Sequence, residues 1–403
     1  MMYYLIGERL GYSYSKIIHN ILGNKDYELM EISPDSLDGF FEVRNFRGIN
    51  VTAPYKQKVL KYCKADSLAG RIGSVNTVVN TKGLLLGYNT DYNGFIAMGE
   101  TAGVSFKNKK IMILGNGGTA QTARIAAFDG GAREVAVISR SGVNNYENLR
   151  RHYDSQIIVN TTPVGLFPDN YRAPVDIAQF KNLSDVIDVN YNPLKTKLIM
   201  SAEAAGINYG AGLEMLTAQA ISAHNLFFGL NDKQDIDLIK EITLKIKNML
   251  RNIVLIGMPG CGKSTIGEKL AGLLKLDFID TDLEVARRIG KSPERIISEQ
   301  GESSFRALES KVILDIAKKT GLVVATGGGS VLLSENREAL AQNGFIVFLD
   351  KGIDRLDTKR RPLSEMLDEM HKIRYPVYNG LCHAKVCMSD DIDENIANIL
   401  EAI

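Results

Sequence analysis

Short apolar runs alternate with segments of helical period along most of the chain. Residues 110–115 (KIMILG), 134–139 (EVAVIS), 156–162 (QIIVNTT) and 185–191 (DVIDVNY) are apolar with little alternation. That pattern predicts strands covered on both faces, as in a parallel sheet. A second series starts at 252–257 (NIVLIG) and continues at 277–282 (DFIDTD), 322–328 (LVVATGG) and 345–350 (FIVFLD). Helical patterns fill the intervals, so repeated β-α units and parallel sheets are expected. The order of elements repeats but the residues do not, which excludes a solenoid. Residues 235–250 (DIDLIKEITLKIKNML) form a charged amphipathic helix pattern, followed at once by a fresh strand. A domain boundary is therefore set near residue 250. No Pro- or Gly/Ser-rich linker marks it.

The chain has 403 residues, too many for one ordinary core. Hydrophobic residues are 45% and charged residues 24%, the balance of a soluble globular protein. A net charge of +1 supplies no general field for nucleic acid or a membrane surface, so small molecules are the expected partners. The four cysteines, Cys63, Cys261, Cys382 and Cys387, are scattered. Their spacing suits neither a metal site nor a disulfide scaffold, and a reducing cytoplasm is expected. The opening MMYYLIGERLGYSYSK lacks the features of a signal peptide, and no apolar run reaches membrane-spanning length. A cytoplasmic enzyme, monomeric or homodimeric, is the resulting expectation.

Two glycine-rich turns carry candidate chemistry. In the first, residues 110–115 run into Gly115, Asn116, Gly117, Gly118, Thr119 and Ala120, then into a helical pattern. This is the G-x-G-x-x-A form of a dinucleotide turn. Gly115 permits the tight bend, Gly117 lets backbone approach a pyrophosphate, and Ala120 lets helix pack on strand. The pyrophosphate would sit at the helix N-terminus. The next strand ends in Ser139, Arg140 and Ser141, where an NAD enzyme usually has an acid. Arginine there suits the 2′-phosphate of NADP. In the second turn, residues 252–257 run into G-x-x-x-x-G-K-S. This phosphate loop gives an expected ATP-binding set of Gly260, Cys261, Gly262, Lys263, Ser264 and Thr265. Backbone amides cradle phosphates, Lys263 reaches the β- and γ-phosphates, and Ser264 helps hold Mg²⁺.

Polar segments surround the first turn: Ser13-Tyr14-Ser15-Lys16, 50–56 (NVTAPYK), 73–77 (GSVNT), 87–91 (GYNTD), 188–196 (DVNYNPLKT) and 212–219 (GLEMLTAQ). In this order they resemble shikimate dehydrogenase across residues 1–249. The resemblance implies that Ser13 and Ser15 bind the substrate carboxylate. It makes Lys56 and Asp91 the catalytic pair. Thr52, Asn76, Tyr191 and Gln219 become substrate contacts, and Gly212 joins Gly115, Gly117, Gly118, Thr119, Ala120 and Arg140 in the cofactor set. The chemistry suits these types, because hydride delivery to a ketone builds negative charge on oxygen that an ammonium can protonate. Relatives often carry a second basic residue shortly after the arginine, and this chain does not.

After the second turn come Asp280 and Asp282, 300–309 (QGESSFRALE), 326–329 (TGGG), 361–363 (RPL) and 374–378 (RYPVY). This series resembles shikimate kinase over residues 251–403. By that resemblance Ser264 and Asp280 serve the metal, Asp282 meets substrate hydroxyls, Arg306 and Arg374 grip the carboxylate, and Gly328 and Gly329 meet the ring. Arg361 belongs to a lid over ATP, in a segment shorter than is usual for the family.

The expected architecture is α/β throughout. Residues 1–93 with 213–249 form a substrate domain, 94–212 a Rossmann NADP-binding domain, and 250–403 a P-loop kinase domain. The expected reactions are NADPH-dependent reduction of 3-dehydroshikimate and ATP-dependent phosphorylation of shikimate. Two other readings stay open at this stage. One keeps the folds but changes the ligands, to quinate or a gluconate-like acid. The other is a ligand-binding regulator without turnover.

Overall fold

The computed structural model describes residues 2–11, 13–231, 235–356 and 367–403. The chain divides into two compact units, Met1–Lys247 and Asn248–Ile403. Among the described residues no helix is long and apolar enough to cross a membrane.

The first unit holds two sheets. Strands β1 (Met2–Gly7), β2 (Tyr27–Glu31), β3 (Phe46–Val51), β4 (Lys64–Ala65), β5 (Thr77–Thr81) and β6 (Leu84–Tyr88) line up in the order β2-β1-β3-β5-β6-β4. β1 runs parallel to β2 and β3, but β5 is antiparallel to both β3 and β6. This sheet is therefore mixed, and the cause is local. Only Lys82 and Gly83 separate β5 from β6, with φ of 53° and 90°. Two successive left-handed residues make the tight hairpin turn that matches strand twist.

The second sheet is parallel throughout. Strands β7 (Lys110–Leu114), β8 (Glu134–Ile138), β9 (Ile157–Asn160), β10 (Asp185–Asp188) and β11 (Asn208–Ala211) take the order β11-β10-β9-β7-β8. Every residue of β7, β9 and β10 is buried, which accounts for their unbroken apolar character. The strand order reverses at β7. That reversal leaves a crevice at its carboxyl end, where such sheets bind ligands.

The helix Gly212–Phe228 leaves β11 and packs along the helix Thr90–Thr101 and against β3. Both contacts require glycine. A Cβ on Gly94 would stand 2.6 Å from the Met215 carbonyl oxygen, and one on Gly48 would enter the Phe227 ring. The charged segment before the second unit forms the helix Ile236–Leu250, burying Ile239, Ile242, Ile246 and Leu250 along one stripe.

The second unit has one parallel sheet. Strands β12 (Asn252–Ile256), β13 (Asp277–Asp280), β14 (Leu322–Ala325), β15 (Gly344–Asp350) and β16 (Ala384–Cys387) take the order β13-β14-β12-β15-β16. β12 is central and wholly buried, between β14 and β15. It is a second point of reversal.

The helix contact gives a test whose sign is informative. In an exposed helix Gly→Ala stabilises by about 0.5–1 kcal/mol. At Gly94 the new methyl meets a backbone oxygen that cannot rotate away. Gly94→Ala should instead destabilise the first unit by about 1–3 kcal/mol. Thermal unfolding should show that unit's transition falling while the second unit's stays in place. A rise in stability would mean that the two helices separate freely.

Candidate active sites

The first site is a cleft of about 520 Å³ within the first unit. Ser13, Ser15, Thr52, Lys56, Asn76, Asp91, Thr119, Tyr191, Gly212 and Gln219 all line it. The expected residues therefore converge although they come from both sheets. At its centre the Lys56 ammonium donates to Asp91 Oδ2 at 2.5 Å. The other carboxylate oxygen, Oδ1, accepts from Asn76 Nδ2 at 2.9 Å. Asn76 Oδ1 in turn accepts from the Thr90 backbone N–H at 2.7 Å. Asn89 caps the same helix by accepting from the Tyr92 N–H. Asp91, buried at 6% exposure, is thus fixed from two sides while Lys56 stays partly open to the cleft.

Ser13 and Ser15 place their hydroxyls together, Ser13 Oγ donating to Ser15 Oγ at 3.2 Å. Tyr191 packs its ring 5.6 Å from that of Tyr14. Burial raises the Tyr191 phenol, so it is a neutral donor at neutral pH.

The glycine turn follows β7. Gly115 has φ of 109°, and a Cβ there would stand 2.6 Å from Thr161 Oγ1. Gly117 precedes the helix Gly118–Asp129 and has open space where a Cβ would be. Ala120 is buried. A Cβ on Gly118 would lie 3.9 Å from Lys56 Cδ, so the turn abuts the lysine. Arg140 is exposed just beyond β8, and its charge acts on the Tyr146 phenol. Gly115, Gly117, Gly118, Ala120 and Arg140 do not line the cleft itself; they continue from it along the strand ends.

The structure adds residues to which the sequence assigned no role. Asn50 lines the cleft, with its Nδ2 donating to Thr77 Oγ1 at 3.0 Å and its Oδ1 accepting from the buried Tyr27 hydroxyl at 2.8 Å. It stood within a matched segment, so a signal existed. Arg9 also lines the cleft, and nothing in the local pattern singled it out. Asp188 sits under the loop that carries Tyr191. It accepts from Thr196 Oγ1 at 2.7 Å, Asn160 Nδ2 at 3.0 Å and the Asn190 N–H at 3.0 Å.

The second site follows β12. Gly257, Gly260 and Gly262 have φ of 148°, 82° and 100°. A Cβ on Gly257 would stand 2.6 Å from the Leu349 carbonyl oxygen. The Lys263 ammonium donates to the carbonyls of Gly257 and Met258 at 2.9 and 3.0 Å, which curls the loop around it. Cys261 is buried at 1% exposure, while Ser264 and Thr265 are exposed in the first turn of the helix Lys263–Leu274. Ser264 Oγ donates to Asp280 Oδ2 at 2.5 Å. Asp280 Oδ1 caps the helix Thr281–Ile289, accepting from the Asp282 and Leu283 N–H groups.

Around the glycines after β14 the charged groups converge. A Cβ on Gly328 would stand 2.8 Å from Pro259 of the phosphate loop and 3.2 Å from Arg374 Nη1. One on Gly329 would enter the Arg306 guanidinium, and one on Gly327 would lie 2.6 Å from Asp282 Oδ1. Asp282, Arg306, Arg374, Gly328 and Gly329 are therefore neighbours beside the loop. Burial first, then the Glu309 and Asp280 carboxylates, push Asp282 up to about 6, against the pull of Lys263 and Arg306. Glu309 and Tyr378 gain roles that the sequence did not assign. Glu309, wholly buried, accepts from Arg306 Nη1 at 2.7 Å and from Ser330 Oγ. The buried Tyr378 donates its hydroxyl to the Gly328 carbonyl. Arg361 lies outside the described residues.

Comparison with known proteins follows the same division. Residues 5–78 match the shikimate dehydrogenase substrate binding domain, and residues 259–403 match shikimate kinase. A shikimate dehydrogenase (NADP(+)) of Clostridium beijerinckii is 32% identical over 272 residues, covering 62% of this chain and 98% of that protein. One of Caldicellulosiruptor bescii is 36% identical over 256 residues, covering 56% and 89%. Among solved structures, the Thermus thermophilus shikimate 5-dehydrogenase in complex with NADP(H) and shikimate superposes with a TM-score of 0.54 at 30% identity, covering 61% of this chain and 99% of that one.

Asp188 offers a test of the loop's electrostatics. Burial pushes its carboxyl up to about 6 from 3.8, against the hydrogen bonds from Thr196, Asn190 and Asn160. The folded state then holds this proton more tightly than the unfolded state. The stability it contributes is complete below about pH 4 and is lost as pH rises through about 6. Asp188→Asn should remove that loss. Its thermal midpoint should improve relative to the wild type between about pH 4 and pH 7, by the equivalent of on the order of 2 kcal/mol. A constant difference across that range would show that Asp188 is not protonated in the fold.

Proposed function

The chain belongs to the shikimate dehydrogenase family and carries a shikimate kinase domain, and from this we propose that it reduces 3-dehydroshikimate with NADPH and phosphorylates shikimate with ATP. Both domains place it in the shikimate pathway as a bifunctional enzyme.

For the reduction, the supporting observation is the Lys56–Asp91 pair beside a glycine turn that can take a dinucleotide. When bound at the glycine turn, NADPH would supply the hydride for the ketone carbon. Lys56 gives its proton to the oxygen as negative charge develops, and Asp91 keeps the ammonium oriented. Ser13 and Ser15 hold the carboxylate; Thr52, Asn76, Tyr191 and Gln219 contact the rest of the ring. Gly115, Gly117, Gly118, Thr119, Ala120 and Gly212 form the cofactor contact. Arg140, with no acid at the strand end, faces the 2′-phosphate.

For the phosphorylation, the supporting observation is the gathering of Asp282, Arg306 and Arg374 beside the phosphate loop. Lys263 exchanges its loop carbonyls for phosphate oxygens, and the amides from Gly260 to Thr265 cradle them. Asp282 accepts the proton of the attacking hydroxyl. Arg306 and Arg374 grip the carboxylate with planar forks. The Ser264 hydroxyl and Asp280 carboxylate would hold Mg²⁺, which offsets phosphate charge when bound. Their donor set fits, because Mg²⁺ takes oxygen ligands and in nucleotide sites needs only one or two from protein. Among the described residues no cluster of three potential metal ligands forms. Arg361 is proposed for the lid on sequence alone.

The two active sites should separate by mutation. Lys56→Ala should lower NADP-dependent shikimate oxidation by roughly 10²–10⁴-fold and leave ATP-dependent phosphorylation within about twofold. Lys263→Ala should do the reverse. Loss of both reactions from either change, in folded protein, refutes separate sites. Cofactor choice gives a second test. Arg140→Asp should raise KM for NADPH by roughly 10–100-fold while KM for NADH changes little, as expected where repulsion replaces a charge-assisted hydrogen bond. Equal changes for both cofactors would remove Arg140 from the 2′-phosphate.

A further inference from the structure

Two cationic side chains, Arg9 and Lys56, and one carboxylate, Asp91, line the first cleft. Lys56 is matched by Asp91 at 2.5 Å. Arg9 has no hydrogen bond or ion pair among the described residues, so its charge is unmatched there. We propose that Arg9 is a substrate-binding residue, a charged anchor that joins Ser13 and Ser15 in holding the carboxylate. This rests on the reading of those serines as carboxylate donors.

The backbone around Arg9 is pinned on both sides. Leu10 is buried, and its N–H donates to Glu31 Oε1 at 2.8 Å. The Ser13 N–H donates to the Leu10 carbonyl at 2.9 Å, which ties the serine back to the residue after Arg9. Before it, Gly7 packs so close to Thr52 that a Cβ would stand 2.7 Å from Thr52 Cγ2. Arg9 thus leaves a fixed turn tied to two residues of the carboxylate and ring contacts.

Charge explains why such a residue is useful. The serines are neutral donors, and Ser13 already directs its proton to Ser15. Each serine hydroxyl can give the carboxylate one hydrogen bond but brings no net charge to balance it. A guanidinium adds a fork that matches both carboxylate oxygens. Arg9 is exposed, so holding it charged at the cleft entails little desolvation. The same exposure limits its effect through solvent screening. An anchor at the carboxylate acts equally on ground and transition states, so it should alter KM rather than kcat.

The test uses the full chain with Arg9→Gln, Arg9→Lys and Ser13→Ala. Steady-state oxidation is measured with shikimate and with its uncharged methyl ester. Arg9→Gln should raise KM for shikimate about tenfold, leave kcat within about twofold, and leave KM for the ester unchanged. Arg9→Lys should fall between wild type and Arg9→Gln. Added salt should narrow the gap between wild type and Arg9→Gln. An unchanged KM for shikimate in Arg9→Gln, or equal rises for acid and ester, overturns the proposal. Where Ser13→Ala still raises KM for the acid, only Arg9 is struck out. Where neither variant moves it, or the wild type does not oxidise shikimate, the underlying reading falls with it.

Discussion

Both units depend on one constraint: a central, buried strand must end in a turn that has no room for a side chain. β7 delivers the chain to Gly115 and β12 delivers it to Gly257. At each position φ is positive, and a Cβ would stand 2.6 Å from a neighbouring oxygen. At Gly257 that oxygen belongs to the Leu349 backbone, at the end of the adjacent strand, and cannot move without breaking the sheet. The sharp turn directs backbone amides and a helix N-terminus at the point where strand order reverses. The reacting groups are then located by their distance from this turn. Lys56 packs against Gly118, and Pro259 of the second turn packs against Gly328.

Around these turns the two sites use opposite electrostatic designs. In the first, a cation and a carboxylate neutralise each other, and the Asn76 amide holds the carboxylate from behind. The Asn76 bridge matters because a buried carboxylate with an unsatisfied oxygen would cost about 1–3 kcal/mol or more. In the second, Asp280, Asp282 and Glu309 are crowded together. Two devices restrain that repulsion. Glu309 is tied to Arg306 and Ser330, while Asp280 is tied to Ser264 and a helix N-terminus. Asp282 has neither, and burial first, then the two neighbouring carboxylates, raise its carboxyl.

What the sequence revealed follows the same physics. The parallel strands β7, β9, β10, β12 and β14 were legible because burial on both faces leaves an unbroken apolar run. The first sheet was not. Several of its strands are only partly buried, and its hairpin turns on Lys82-Gly83 rather than on the Asn-Gly or Asp-Gly pairs that announce such turns. The α/β class and the family of each half were readable from clustered motifs. The convergence of Lys56, Asn76, Asp91 and Gln219 on one cleft was implied by resemblance alone, since spacing along the chain carries no distance. Arg9 gave no signal, because an exposed arginine in a loop resembles any solvated charge. Glu309 and Tyr378 were visible as motif letters, but their work is internal, on Arg306 and Gly328, and only coordinates show whom they touch.

On the proposed reading the two sites meet the same acid, and the contrast between them follows from what each reaction adds. Hydride and proton together are neutral, so the reduction brings no lasting charge to the ring. A balanced Lys56–Asp91 pair serves the reacting carbonyl, and the substrate carboxylate needs only the two serine hydroxyls and the one exposed guanidinium of Arg9. Phosphoryl transfer instead brings a highly anionic nucleotide beside a carboxylate and loads a further anionic group onto the same small ring. Coulomb repulsion between unit charges about 4 Å apart is near 4 kcal/mol at an effective dielectric of 20. Neutral donors could not offset several such terms. Fixed cations can, and Lys263, Arg306 and Arg374 stand where the phosphate loop approaches Gly328 and Gly329. Three carboxylates stand among these cations, each with a different partner. Glu309 is spent on Arg306, Asp280 faces Ser264, and only Asp282 remains to take the proton that the attacking hydroxyl must lose.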